Sequence, residues 1–290
     1  MPTEAGALVD ADPLRALGRT LRGTFRASFT NLLRFYTMSG WLLASLLRPL
    51  FLLAGAAVIA HFLTGGDVPP RFFAFTGYPS YLAFVVLGLA ASTLVQSALE
   101  DGGTAIYDEE SAGTWDLLAL TPMNRFVWMF GKTLAGMVNS LLDFALILLV
   151  GVLAFHLVLT PGNLAVAGVG LLLTMLGLQG FGFLMAAAGL LWKQPYGLSM
   201  MLSPVLIFLS GMVFPIQALP PWLQAIAQGF PLTHGLHILR ESVLLGRGFG
   251  ELQGSFLALA ATGAAFMLVG FAAFRFLEAR ARRAGVMGRY

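Results

Sequence analysis

Few residues of this chain combine the type and the spacing needed for chemistry. Gly131-Lys132-Thr133 reads like the end of a phosphate-cradling loop. That loop needs a glycine at position 126, where Phe126 stands, and a strand before it. Nucleotide binding by this motif is therefore excluded. His234 and His237 stand three apart, so one helix face can carry both. With no third ligand in the pattern they read as helix-surface residues, and the expected metal set is none. Neither G-x-S-x-G nor H-E-x-x-H occurs, and there is no cysteine for a nucleophile, a disulfide or a zinc thiolate. No catalytic residue emerges, and the expectation is a protein that is not itself an enzyme and holds no cofactor. Two charges remain, Arg48 and Asp143, each set within an apolar run.

The elements that carry these residues are dictated by composition. The chain has 290 residues, 58% of them hydrophobic and 11% charged, and a mean hydropathy of +0.81. A water-soluble domain carries about 25% charged residues. Half that proportion cannot cover a solvated surface, so most of the exterior must face lipid. The net charge of +3 with pI ≈ 9.5 fits the lysine and arginine bias of membrane proteins better than a nucleic-acid footprint. No apolar h-region precedes Trp41, so no cleaved signal peptide is expected.

Apolar runs at 41–63, 76–99, 133–159, 164–192, 198–214 and 252–277 predict six transmembrane helices. With both termini on the cytoplasmic side, 13 of the 17 lysines and arginines lie inside and three, Arg71, Arg240 and Arg247, outside. The fold expectation is thus an all-α membrane protein, N-in and C-in. Residues 1–12 read as a flexible N-terminus and 41–278 as the transmembrane domain, with 279–290 as a basic cytoplasmic tail. Glycines crowd the fourth run at positions 168, 170, 177, 180 and 182, which reads as close helix packing, with a substrate path as the lesser alternative.

Three segments do not span. Residues 13–40 place Leu14, Leu17, Leu21, Phe25, Phe29 and Leu32 at helical spacing, with Arg15, Arg19, Arg22 and Arg26 on another face. This predicts an amphipathic helix at the membrane interface. Residues 100–132 form the longest cytoplasmic loop. A short helix is expected there, capped by Ser111 or Thr114 and stopped by Thr121-Pro122. It would show Trp115, Leu117 and Leu118, either to a protein partner or to the interface. Residues 215–251 are external, too broken by Pro and Gly to span and too apolar for a solvated loop. Short helices re-entering the outer leaflet fit them.

These two loops resemble the type-2 ATP-binding-cassette (ABC) permease family. In the inner loop the matching residues are Glu109 and Glu110, Gly113-Thr114, Leu117-Leu118, Thr121-Pro122 and Gly131-Lys132. In the outer loop they are Leu209-Ser210-Gly211, Phe214-Pro215, Leu219-Pro220, Trp222-Leu223, Pro231-Leu232-Thr233 and Leu239-Arg240. His234 departs from the tyrosine common in the family, and the acidic run before Gly113 from its usual basic residue. The resemblance implies a permease subunit of an ATP-driven exporter in a bacterial inner membrane. Its partners would be separate ABC ATPase subunits, which hold the ATP and Mg, a second permease copy or paralogue, and membrane lipid, with no nucleic acid. It implies a coupling helix made of Glu109, Glu110, Gly113, Thr114, Trp115, Leu117, Leu118, Thr121 and Pro122. It implies an external gate made of Phe214, Pro215, Pro220, Trp222, Leu223, Pro231, Thr233 and Arg240. An ion-gradient-driven transporter or a membrane enzyme is the alternative; both call for more intramembrane ionisable groups than Arg48 and Asp143.

Arg48 lies ~11 Å along the first run from Trp41, and Asp143 ~16 Å along the third from Lys132, at 1.5 Å per residue. Similar depth and opposite charge predict an ion pair. The alternatives are that Arg48 snorkels to the headgroups or that Asp143 faces a transport path. If the pair forms, Arg48→Ala and Asp143→Ala each lower the yield of folded protein, and the double variant recovers part of the loss. Purely additive losses, read by size-exclusion chromatography, would show that the two do not touch.

Overall fold

A computed structural model describes residues 13–34, separate helical positions between 47 and 58, and residues 70–114, 120–121, 123–155, 163–189 and 195–283. All regular structure among them is helical. The helices are α1 (Pro13–Arg34), α2 (Pro70–Thr76), α3 (Tyr81–Ser111), α4 (Arg125–Phe155), α5 (Leu164–Gly189), α6 (Pro195–Leu209), α7 (Pro221–Gln228), α8 (Pro231–Leu244) and α9 (Gln253–Arg283). A 3-10 turn, Ile216–Ala218, precedes α7. Among the described residues, four helices are long and apolar enough to cross a membrane: α3, α4, α5 and α9. The chain is a multi-pass membrane protein.

Several boundaries differ from the sequence reading. The second run continues as helix to Ser111 and the third begins at Arg125, so much of the 100–132 segment extends α3 and α4. Hydropathy marks where a helix leaves hydrocarbon, not where its hydrogen bonding stops. The sixth likewise runs on to Arg283, into the segment read as a tail. The fifth run is shorter than expected: α6 has 15 residues, contains Pro204, and ends before Gly211, whose φ of +71° suits glycine. Its described residues measure ~22 Å along the axis. The N-terminal twelve residues and most of the first apolar run, with Arg48, lie outside the described residues.

The core is organised around α5, which packs against α9, α3 and α8. Its glycines mostly serve packing. A Cβ on Gly177 would sit 3.0 Å from the Gly263 Cα of α9, so the two backbones are in direct contact. Gly168 is the exception, with open space around it. Gln179 of α5 is fully enclosed in this core: its side-chain oxygen accepts from Thr133 Oγ1 at 2.5 Å, and its amide meets Met137 Sδ at 3.3 Å. A stack of rings, Phe126 on Phe183 and Phe126 edge-on to Phe271, joins α4, α5 and α9 at one end.

Helix α1 has the predicted two-faced pattern. Leu17, Leu21, Thr24 and Phe25 are half-buried, whereas Arg19, Arg22 and Arg26 are exposed. It lies along α4, where Gly131 lacks a side chain: a Cβ there would come 3.1 Å from Thr24 Cβ and 3.3 Å from the Leu21 carbonyl. The Thr20 and Thr24 hydroxyls donate to carbonyls one turn back and so are satisfied within the helix.

Gly177→Val drives a branched side chain into the α9 backbone. We expect overpacking of about 1–3 kcal/mol or more, read as a lower melting temperature of the detergent-solubilised protein, whereas Gly168→Val at the open position leaves it unchanged.

Candidate functional site

The C-terminal end of α3 and the N-terminal end of α4 bring the acidic motif and the glycine–lysine motif together. Helix α3 ends with Ala112 and then Gly113 at φ +68°, the left-handed conformation that terminates helices. Gly113 N–H donates to the Glu110 carbonyl, and Thr114 N–H to the Glu109 carbonyl. Ser111, one of the two caps expected for a helix in this segment, is instead the last residue of α3, its hydroxyl donating back to the Asp108 carbonyl. The Thr114 hydroxyl donates to the Glu109 carboxylate at 2.5 Å. From α4, Lys132 Nζ reaches Glu109 Oε1 at 3.3 Å, Asp108 Oδ2 at 3.4 Å and the Ala105 carbonyl at 2.8 Å. Residues more than twenty apart in the chain thus form one clamp at the mouth of the 112–124 connection.

The other end of that connection is fixed too. Asn124 Oδ1 accepts from Phe126 N–H at 3.0 Å and caps α4. Arg125 pairs with Glu278 of α9 at 3.3 Å. Neither Asn124 nor Asp108 was singled out in the sequence, although an Asn before an apolar run is a helix-start signal. Leu120 and Thr121 are exposed, and Glu110 is half-buried. Trp115, Leu117, Leu118 and Pro122 lie outside the described residues. A hollow of about 810 Å³ opens between α1 and this clamp, lined in part by Thr24, Asp101, Trp128 and Lys132.

At the opposite end, the eight candidate gate residues separate into two groups. Phe214, Pro220 and Trp222 point outward, Trp222 at 64% exposure, with Pro215 and Leu223 half-buried. Pro231, Thr233 and Arg240 are buried. Pro221 and Pro231 each open a helix, where the missing N–H costs nothing. Thr233 Oγ1 donates to the Ala227 carbonyl at 2.7 Å and closes the α7–α8 turn. Arg240, counted among the external charges from sequence, is 5% exposed. Its guanidinium donates to the carbonyls of Gly211 and Met212, each at 2.8 Å, and of Phe84 at 3.0 Å. It also lies 3.4 Å over the Phe84 ring. These acceptors replace water, so Arg240 staples α8 and the 210–214 turn to α3.

Beside it Glu241 accepts from the Tyr78 hydroxyl at 2.9 Å and pairs with Arg247 at 2.6 Å. Burial first, then the Glu241 charge, push the Tyr78 phenol well above its usual range, so it stays protonated and donates. His237 Nδ1 lies 3.9 Å from Glu241, one turn along α8. Partial desolvation outweighs that carboxylate and pulls the imidazole below its ordinary value. His234 meets the Gln228 carbonyl at 2.8 Å. Asp143 is half-buried on α4.

A further polar feature interrupts the apolar flank. Gln96 and Glu100 of α3, with Ser203 and Phe208 of α6 and Phe214, line a hollow of about 330 Å³.

Residues 102–244, from the end of α3 through α8, match the family model of the ABC-2 type transporter. Among curated proteins, the probable multidrug ABC transporter permease YbhR of Escherichia coli K12 is 26% identical over 165 residues, 57% of this chain and 44% of its own length. Nodulation protein J of Sinorhizobium fredii is 28% identical over 206 residues, covering 68% of this chain and 76% of that protein. The daunorubicin resistance permease DrrB1 of Streptomyces coeruleorubidus is 25% identical over 175 residues, 59% and 61% of the two chains. The chain spans less than half the length of YbhR.

Replacing Arg240 by Met leaves three carbonyls buried without their donor and frees the 210–214 turn. We expect a loss of about 1–3 kcal/mol for each acceptor left unsatisfied, seen as a drop in melting temperature larger than that of Tyr78→Phe, which removes one hydrogen bond.

Proposed function

From the premise that residues 102–244 form an ABC-2 type transporter domain, we propose that this chain is the permease subunit of an ATP-driven exporter. It would sit in a bacterial inner membrane with six spans and both termini inside. ATP hydrolysis would reside in separate subunits that dock on the 107–122 segment. The observation that carries this reading is the clamp of Lys132 on Asp108 and Glu109. It ties the mouth of the connection to two long apolar helices, so a push on the connection moves both. Arg125–Glu278 extends the linkage to α9. A docked ATPase that changes shape on binding ATP biases an inward–outward equilibrium only through such a rigid joint.

The names of the relatives support the class and not a cargo, since multidrug, nodulation and daunorubicin proteins differ in what their names imply. The path itself we place on the α3–α6 flank. Gln96 and Glu100 give the hollow there a polar lining, which suits an aqueous path. A second copy related by two-fold symmetry would complete that path and cover the outward Phe208, Phe214 and Trp222. Arg240 and Glu241 would keep the outer turn rigid while Phe214 and Trp222 meet the partner.

Affinity purification of the tagged chain from its own host tests this reading. An ABC ATPase copurifies with the wild type and is lost from Trp115→Asp, which places an unpaired charge in the docking groove, while membrane insertion is unchanged. Full copurification with the variant would remove the 107–122 segment as the docking element. ATP-independent uptake driven by an ion gradient would favour a secondary transporter instead.

A further inference from the structure

Helix α1 carries five arginines and no carboxylate in 22 residues. We propose that its basic face binds the headgroups of anionic phospholipids, so that lipid charge holds the α1–α4 joint in place. Depth is the first argument. The contact at Gly131 fixes α1 six residues, or ~9 Å, from the Arg125 end of α4. Lys132 and Arg125, on that same end, mark it as the boundary of the span. A helix held there lies at headgroup level.

Orientation is the second argument. Leu17, Leu21 and Phe25 are only half-covered by protein, so part of each apolar side chain remains for lipid. Arg19, Arg22 and Arg26 are exposed around the rest of the helix. An apolar arc in the acyl boundary with guanidinium groups above it is the arrangement of an interfacial helix on an anionic surface. Guanidinium also matches phosphate oxygens in geometry, through paired N–H donors.

Third, the clamp is close by. Thr24, which meets Gly131, lines the same hollow as Asp101, Glu109 and Lys132. Seating α1 on anionic lipid therefore bears on the joint that holds the 112–124 connection, which gives lipid composition a route to transport.

The test uses the full-length chain alone, without ATPase or nucleotide, so its outcome is independent of the transport reading. The protein is reconstituted in bilayers of phosphatidylcholine and phosphatidylglycerol, and the lipids retained on release are counted by native mass spectrometry. Phosphatidylglycerol is expected to be retained in preference. Each arginine near a charged surface is worth about fivefold in binding, so Arg22→Gln with Arg26→Gln lowers that preference by about 25-fold. Arg22→Lys with Arg26→Lys keeps charge and folding pressure alike and should retain most of it. Equal retention of both lipids by the wild type, or an unchanged preference in the double Gln variant, overturns the proposal.

Discussion

Hydrocarbon offers no partner to a polar group, and that constraint shapes this chain throughout. It forces the backbone into helices, whose amides are satisfied within each segment. It also decides where charge is tolerated. Arg240 is admitted to the interior because three carbonyls and an aromatic face take the place of water. Glu241 is admitted because Tyr78 and Arg247 hold it. Gln179 is admitted because Thr133 and Met137 surround it. Each of these groups therefore joins elements far apart in sequence, and the polar minority supplies the rigid joints of a mostly apolar protein.

The joints fall at the two ends of the bundle. At one end Lys132 draws the acidic terminus of α3 onto α4, and Arg125 draws α4 onto α9. At the other, Arg240 draws α8 and the 210–214 turn onto α3. Helix α3 takes part in both. It is the element through which an event at the 112–124 connection would reach the 210–214 turn, as a stiff rod rather than through a chain of small adjustments. Between the ends, contact is by small residues on α5 and α9, whose close backbones leave little freedom for independent movement.

Much of this was legible in the residues. Period and hydropathy give α3, α4, α5 and α9, because a lipid-facing helix must be apolar over its whole length. The alternation of Leu and Arg gives α1. What hydropathy misses is the end of each helix, since hydrogen bonding continues after the chain leaves hydrocarbon; that is why α3 reaches Ser111 and α4 starts at Arg125. The glycine–lysine and acidic motifs are each visible in sequence, but their meeting is a tertiary fact. Arg240 misleads for a related reason. Sequence shows a charge in an external segment and cannot show the carbonyls that Gly211 and its neighbours turn toward it. The α6 helix is overestimated because Leu209 to Phe214 is apolar in composition yet turns at Gly211.

The claim at the centre of this account is that the Lys132 clamp transmits work between an ATPase and the spans. The direct measurement is ATP hydrolysis by the copurified ATPase in proteoliposomes, compared between the wild-type chain, Lys132→Met and liposomes lacking the chain. The account predicts membrane-bound hydrolysis that requires the chain and falls in Lys132→Met while the complex still assembles. Hydrolysis at one rate in all three preparations would contradict it.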